Sequence, residues 1–238
     1  MLLNLRNDTI HLKRLWTEQD IFSIVFGNTY TYNANGIRTS KTVGGIRHNY
    51  DLDGAKILRE TWNNNTLIPL YDNEDSVCGI IYNDKPFYFQ KNLQGDIIAI
   101  VDKNADTVAQ YTYDAWGVCT ITQDISDCNI ATINPFRYRG YYYDEEIGLY
   151  YVSNRYYNPE IRRWLSCDPL VYQGEFDETA GILSTNIYSY CANNPINYYD
   201  LSGESLTGVL IGVLIGAILG AAAGWGYAKY FNIPKNKT

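Results

Sequence analysis

Arg137, Arg139, Arg155, Arg162 and Arg163 form the one basic concentration in the chain, with tyrosines interleaved among them. Guanidinium beside aromatic ring suits a single-stranded nucleic acid, with phosphates on the cations and bases on the rings. It equally suits a folded interior, in which cation–π packing and Glu145, Glu146 and Glu160 satisfy the guanidiniums. The formal net charge of −7 favours the second reading, because a general nucleic-acid binder needs a basic face; no nucleic-acid partner is expected. Other chemistry is thin. His11 and His48 stand in ordinary repeat context and make no catalytic triad. Cys78, Cys119, Cys128, Cys167 and Cys191 contain no Cys-x-x-Cys and no short-range pairing, which argues against both zinc and a disulfide framework. Free, mostly buried thiols are expected, and no cofactor. Exposed tyrosines stacking on sugars would make a carbohydrate or cell-wall binder, an alternative that no single residue singles out.

The elements that must position these residues are strands. Eight tyrosines fall within the twenty residues from Tyr138 to Tyr157. Tyrosine favours a pleated, half-buried surface with its hydroxyl toward water or a partner, and the intervening Gly, Asp and Asn-Pro mark tight turns. Upstream, a turn signal recurs. Asn33-Ala34-Asn35-Gly36 follows Tyr32, Asp51-Leu52-Asp53-Gly54 follows Tyr50, and Asp72 follows Tyr71 without the Gly. Asn92-Leu93-Gln94-Gly95 follows the aromatic run Phe87-Tyr88-Phe89, and Asp114-Ala115-Trp116-Gly117 follows Tyr113. The intervals are 18, 21, 20 and 22 residues. Asp or Asn at the first position caps the backbone, and Gly at the fourth tolerates positive φ. A unit of this length is one hairpin, too weak alone and therefore stacked on its neighbours. Between Cys119 and Asn134 the pattern lapses, which predicts a loop or a diverged repeat.

These residues resemble the Rhs (YD-repeat) family. Tyr50-Asp51, Tyr71-Asp72 and Tyr113-Asp114 look like its Tyr-Asp turns. The span 135–203 is similar to the Rhs-repeat-associated core. It carries Arg139-Gly140-Tyr141, Asp144, Gly148-Leu149-Tyr150-Tyr151, Arg155-Tyr156-Tyr157-Asn158-Pro159, Asp168-Pro169, Asn194-Pro195, Asp200 and Gly203. The resemblance implies an all-β fold: hairpins forming a curled sheet or partial shell, closed by a spiral core plug and followed by a variable C-terminal segment, commonly a toxin. It also implies a candidate activity, release of that segment by the core aspartates Asp168 and Asp200, since two close carboxylates can share a proton and activate water. The match is imperfect. Asp168-Pro169-Leu170-Val171 lacks the expected Gly, and Leu201 stands after Asp200 where Pro is usual, so turn-forming roles are favoured and no enzyme is expected.

The tail adds one helix to this all-β plan. Residues 205–228 carry no charge, and Gly208, Gly212, Gly216, Gly220 and Gly224 recur at every fourth position. As a helix this stretch would span about 36 Å against about 30 Å of hydrocarbon. Trp225, Tyr227 and Tyr230 sit at one end with Lys229, Lys235 and Lys237. The glycines would form a groove for a second helix. The expected organisation is a starting segment 1–27, hairpins 28–134, core 135–204, apolar helix 205–231 and polar tail 232–238. Expected partners are a membrane, other shell material, a second copy through the glycines, or an immunity protein. The expected location is a membrane, the exterior or the surface of a bacterium. No signal peptide is visible, and the pattern reads as the end of something longer.

Overall fold

A computed structural model of the chain describes residues 2–5, 8–11 and 23–25 as strands, then 27–166 apart from 154, and finally 186, 188–198 and 200. β1 (Leu2–Leu5) and β2 (Asp8–His11) pair as a separate antiparallel ladder. A second, eleven-stranded antiparallel sheet runs in strict sequence order. Its strands are β3 (Ser23–Val25), β4 (Asn28–Tyr32), β5 (Arg38–Val43), β6 (Ile46–Asp53), β7 (Lys56–Trp62) and β8 (Asn65–Tyr71). β9 (Val77–Tyr82), β10 (Lys85–Lys91), β11 (Ile97–Val101), β12 (Thr107–Tyr113) and β13 (Cys119–Asp124) complete it. A short helix α1 (Ile130–Ile133) follows. The last sheet holds β14 (Tyr142–Asp144), β15 (Leu149–Val152), β16 (Arg155–Asn158) and β17 (Arg163–Trp164), again antiparallel.

Two kinds of connection build the large sheet. Five turns begin at Asn33, Asp72, Asn92, Asp102 and Asp114. In each, the first side chain accepts backbone N–H bonds from the residues two and four positions on, at 2.8–3.0 Å. The fourth residue has positive φ whether it is Gly36, Gly95 and Gly117 or the substitutes Asp75 and Ala105. Tight two-residue turns at Gly44-Gly45, Gly54-Ala55, Asn63-Asn64 and Asn83-Asp84 make four others. The expected turn at Asp51 is displaced: Asp51 lies inside β6 opposite Arg59, Leu52 points inward opposite Ile57, and the chain reverses at Gly54. The segment after Cys119, expected as a loop or a diverged repeat, forms β13, paired to β12 across the Asp114 turn, and α1, which overturns only the loop reading. β13 is an edge strand whose exposed residues are Thr120, Ile121 and Thr122, and its mostly polar sequence mimics a loop.

The sheet curls. Tyr32 at the end of β4 shares a 2.7 Å hydroxyl contact with Tyr156, while the adjacent Tyr157 donates to the Trp116 carbonyl in the β12–β13 turn at 2.8 Å. β4 and β12 are eight ladder steps apart, roughly 38 Å in a flat sheet. Two neighbouring tyrosines cannot bridge that distance, so the wall wraps around β14–β17. The buried interface joins Tyr50, Ile57, Leu67, Ile80, Phe87 and Ile100 of the wall to Phe136, Tyr142 and Tyr151. A second cluster, inside the core, packs Tyr138, Tyr141, Tyr150, Tyr157, Trp164 and Tyr190. Most of these tyrosines are fully buried rather than half-buried, and their hydroxyls bond to protein groups. An antiparallel strand in a one-faced sheet would leave them wet; here both sides are covered.

Candidate functional site

The chemistry concentrated between wall and core is a seam of buried ions and tyrosine hydroxyls. β5 supplies two cations three positions apart, because a bulge leaves Thr39 unpaired between the Arg38–Tyr32 and Ser40–Thr31 pairs and turns Arg38 onto the face of Lys41. Arg38 is 1% exposed and lies 2.5 Å from Asp144, whose side chain is fully buried at the end of β14. Lys41, also buried, lies 2.9 Å from the other Asp144 oxygen and 3.1 Å from Glu146. The guanidinium of Arg38 sits over the rings of Tyr151, Tyr142, Tyr50 and Tyr30, at 4.3, 4.8, 5.2 and 5.6 Å. The Tyr151 hydroxyl accepts the Arg38 backbone N–H at 2.8 Å. Burial alone would raise the Asp144 carboxyl, but Arg38 and Lys41 outweigh it and hold it below its ordinary value.

The seam continues along the wall. Glu60 of β7, 3% exposed, accepts from the Tyr142 hydroxyl at 2.9 Å and lies 2.7 Å from His48 Nδ1. His48 in turn stacks on Trp62 with centroids 4.9 Å apart. It is thus a satisfied half-buried residue, while the side chain of His11 lies outside the described residues. Near β11, the backbone N–H of Arg139 donates to Asp96 at 3.0 Å, and its guanidinium donates to the Gln94 and Pro195 carbonyls. Arg139 adopts φ 57°, an unfavourable conformation that its three anchoring contacts over-determine. At the far strands, the hydroxyls of Tyr138, Tyr150 and Tyr157 donate to the carbonyls of Ala115, Gly117 and Trp116.

Of the arginine cluster, Arg137, Arg139 and Arg155 are buried, Arg163 is half-buried and Arg162 is exposed. Arg137 pairs with Glu145 at 2.7 Å and lies over Tyr143; Arg155 pairs with Asp200 at 3.1 Å and lies over Trp164; Arg162 lies over Trp116. Glu146 takes Lys41 rather than an arginine. Asp200 is 3% exposed, and its carbonyl accepts from the Tyr141 hydroxyl, so it is a buried ion-pair partner; the residues that follow it in the expected turn lie outside the described residues. Gly140 and Gly148 take positive φ in turns, and Leu149, Tyr150 and Tyr151 are buried in β15. Asn194 and Pro195 form the turn that Arg139 grips, and Pro159 follows Asn158, whose side chain caps the β16–β17 turn. Asp168, Pro169, Gly203 and Cys167 lie outside the described residues, as do Gly208, Gly212, Gly216, Gly220, Gly224 and the whole expected helix 205–231. Among the described residues no helix is long and apolar enough to cross a membrane. Of the described cysteines, all free, only Cys191 is buried; Cys78, Cys119 and Cys128 are half-buried, against the expectation of mostly buried thiols. Cys78 lies in β9, Cys119 opens the edge strand β13, and Cys128 lies in the turn between β13 and α1.

The family model described as Teneurin YD-shell matches residues 58–196. The chain belongs to that family. The match covers the later wall strands and the core, including Glu60, Asp96 and Asp144, and begins after Arg38 and Lys41. Relatives among characterised proteins include the tRNA nuclease WapA of Bacillus subtilis strain 168, 39% identical over 179 residues, which are 74% of this chain and 7% of that protein. Toxin protein Tse5 of Pseudomonas aeruginosa is 42% identical over 77 residues, 32% of this chain and 5% of its own. Among solved structures, the TcdB2-TccC3-Cdc42 crystal structure superposes with a TM-score of 0.61 at 22% identity, over 85% of this chain and 10% of that one. The YD-shell chain thus spans less than a tenth of the length of the WapA and Tse5 relatives. The Rhs resemblance and the β-shell architecture stand on these matches. Sequence reasoning missed Arg38, Lys41, Glu60 and Asp96 as partners of the YD-shell core. A signal existed for two of them: Arg38 and Lys41 are charged residues in a strand of Thr, Ser and Val, where an inward charge asks for a buried partner.

Proposed function

We propose that this chain is a non-enzymatic closing section of a YD-shell toxin protein. Its core plugs a curled wall, and its C-terminal segment 205–231 is a membrane-inserting helix used in competition between bacteria, at a surface or outside the cell. The observation that carries the reading is the seam: one core block bonded to wall strands as far apart as β4 and the β12–β13 turn. That arrangement suits a scaffold, because Asp144, Glu146, Tyr142 and Arg139 of the core each bond a charged group of the wall. The pairing of Asp200 with Arg155 supports a structural role for that carboxylate rather than the self-cleaving alternative. The nuclease named for WapA belongs to a protein of which this chain matches 7%, and it is not carried over. Partners consistent with the reading are the remaining shell, a second copy through Gly208, Gly212, Gly216, Gly220 and Gly224, and an immunity protein.

The test removes residues 205–238. The full chain is expected to float with anionic lipid vesicles on a density gradient, and the shortened chain to stay at the bottom with an unchanged β-type circular dichroism spectrum. Vesicle binding that survives the deletion would refute the membrane role of the tail. An intact mass short of 27.2 kDa by the C-terminal segment, restored by Asp200→Asn, would instead establish self-cleavage.

A further inference from the structure

Four charged groups meet in a dry pocket where β5 faces the end of β14. Lys41 Nζ lies 2.9 Å from Asp144 Oδ1 and 3.1 Å from Glu146, and Arg38 Nη1 lies 2.5 Å from Asp144 Oδ2. The Tyr30 hydroxyl donates to Glu146 at 2.9 Å, and the Tyr142 ring lies 5.2 Å from the lysine nitrogen. An amine, a carboxyl group and a second carboxylate are thus in contact, buried, and lined by aromatic rings.

We propose that Lys41 and Asp144 condense into an intramolecular isopeptide bond that welds wall to core, with Glu146 as proton relay and Arg38 as donor to the developing oxyanion. Nζ attacks Cγ; the N–C bond forms and the Cγ–Oδ1 bond breaks. Two of the three ammonium protons leave with Oδ1 as water, one of them passed through Glu146. Oδ2 remains as the amide oxygen, still held by Arg38. Ammonium plus carboxylate gives amide plus water, so no co-reactant is needed. Reactants fixed in contact behave as if at concentrations on the order of 10⁵ M or more. The product also removes one buried cation and one buried anion, whose desolvation opposes folding, and leaves Arg38 and Glu146 to balance each other. Arg38 and Lys41 keep Asp144 ionised at rest, so the bond waits on proton transfer within the cluster and forms slowly after folding.

The experiment weighs the purified full chain after incubation in native buffer and then denaturation. It is expected to be one water lighter than the sequence mass, and its digest to contain a branched peptide joining the Lys41 and Asp144 segments. Chain isolated in denaturant throughout supplies the unbonded reference. Glu146→Gln and Lys41→Arg are expected to keep the full mass. If either variant does not fold, the wild-type mass and the branched peptide still decide. Full sequence mass in the incubated wild type overturns the proposal. So does a water loss that maps to a succinimide at Asp53-Gly54 with no branched peptide. A branched peptide that persists in folded Glu146→Gln overturns the relay.

Discussion

The wall and the core are specified at different ranges. In the wall, Asp102 satisfies N–H groups two and four residues away, and the same arrangement recurs at Asn33, Asp72, Asn92 and Asp114. In the core, Asp144 bonds Arg38 and Lys41, more than a hundred positions upstream. Wall strands run five to eight residues from β4 to β13, whereas core strands are only two to four. A short ladder contributes little alone, so the core depends on what it buries against the wall. The wall is therefore a repeated local instruction, and the core a set of distant complementary charges and hydroxyls that act only once the wall has curled.

Alkaline pH should separate the two most strongly. Burial pushes the Tyr138 and Tyr151 hydroxyls up from 10.0 to about 12, and raises Tyr141, Tyr142, Tyr150 and Tyr190 well above their ordinary value. Between pH 10.0 and about 12 the unfolded chain releases tyrosine protons that the folded chain keeps. The folded state then binds more protons, so stability, complete below pH 10.0, is lost as the pH rises through that window. We expect tyrosinate absorbance to rise cooperatively there, together with loss of the β-type dichroism. Titration of every tyrosine with the dichroism unchanged would mean the core hydroxyls are not sealed as described.

A pair of glycines sharpens the contrast within one turn type. Gly36 and Gly117 occupy the same fourth position with φ 77° and 91°. A Cβ at Gly36 meets nothing within 4 Å, while at Gly117 it would stand 2.6 Å from the Tyr138 ring. Gly36→Ala should cost about 1–2 kcal/mol from the left-handed backbone alone. Gly117→Ala adds overpacking of about 1–3 kcal/mol, because Tyr138 is held by its bond to Ala115 and cannot retreat freely. Urea unfolding of both variants measures the difference. Equal losses would show that the core does not press on that turn.

What was legible in the sequence follows the same division. Tyr111-Thr112-Tyr113-Asp114 read correctly as strand and turn because the whole instruction lies in adjacent residues. Tyr50-Asp51 carried the same letters and misled, because inward packing of Leu52 against Ile57 extends β6 beyond the dipeptide. Asp102 was missed since Val101 precedes it where Tyr was sought and Ala105 stands in place of Gly. The burial of Arg137, Arg139 and Arg155 was readable from net charge, and so was Glu145 as the partner of Arg137, but the distant partners were not. Nothing near Arg139 or Arg155 in sequence points to Asp96 or Asp200, which only the curl of the wall and the return of the chain bring together.

The smallest expected effect tests the local instruction itself. Ala105 holds φ 67° at an exposed turn between β11 and β12, with Asp102 making both capping bonds. An alanine in the left-handed region is strained, whereas glycine reaches it freely but loses more entropy on folding. The strain term, about 1–2 kcal/mol, exceeds the entropy term, about 0.5–1 kcal/mol, so Ala105→Gly should stabilise by up to about 1 kcal/mol. The gain should appear as a higher urea midpoint with an unchanged slope, since no surface is newly buried. Made at this position, remote from the seam, the change should leave the alkaline transition window where it was. A shift of that window by Ala105→Gly would couple a wall turn to the core hydroxyls and break the division between local wall and distant core.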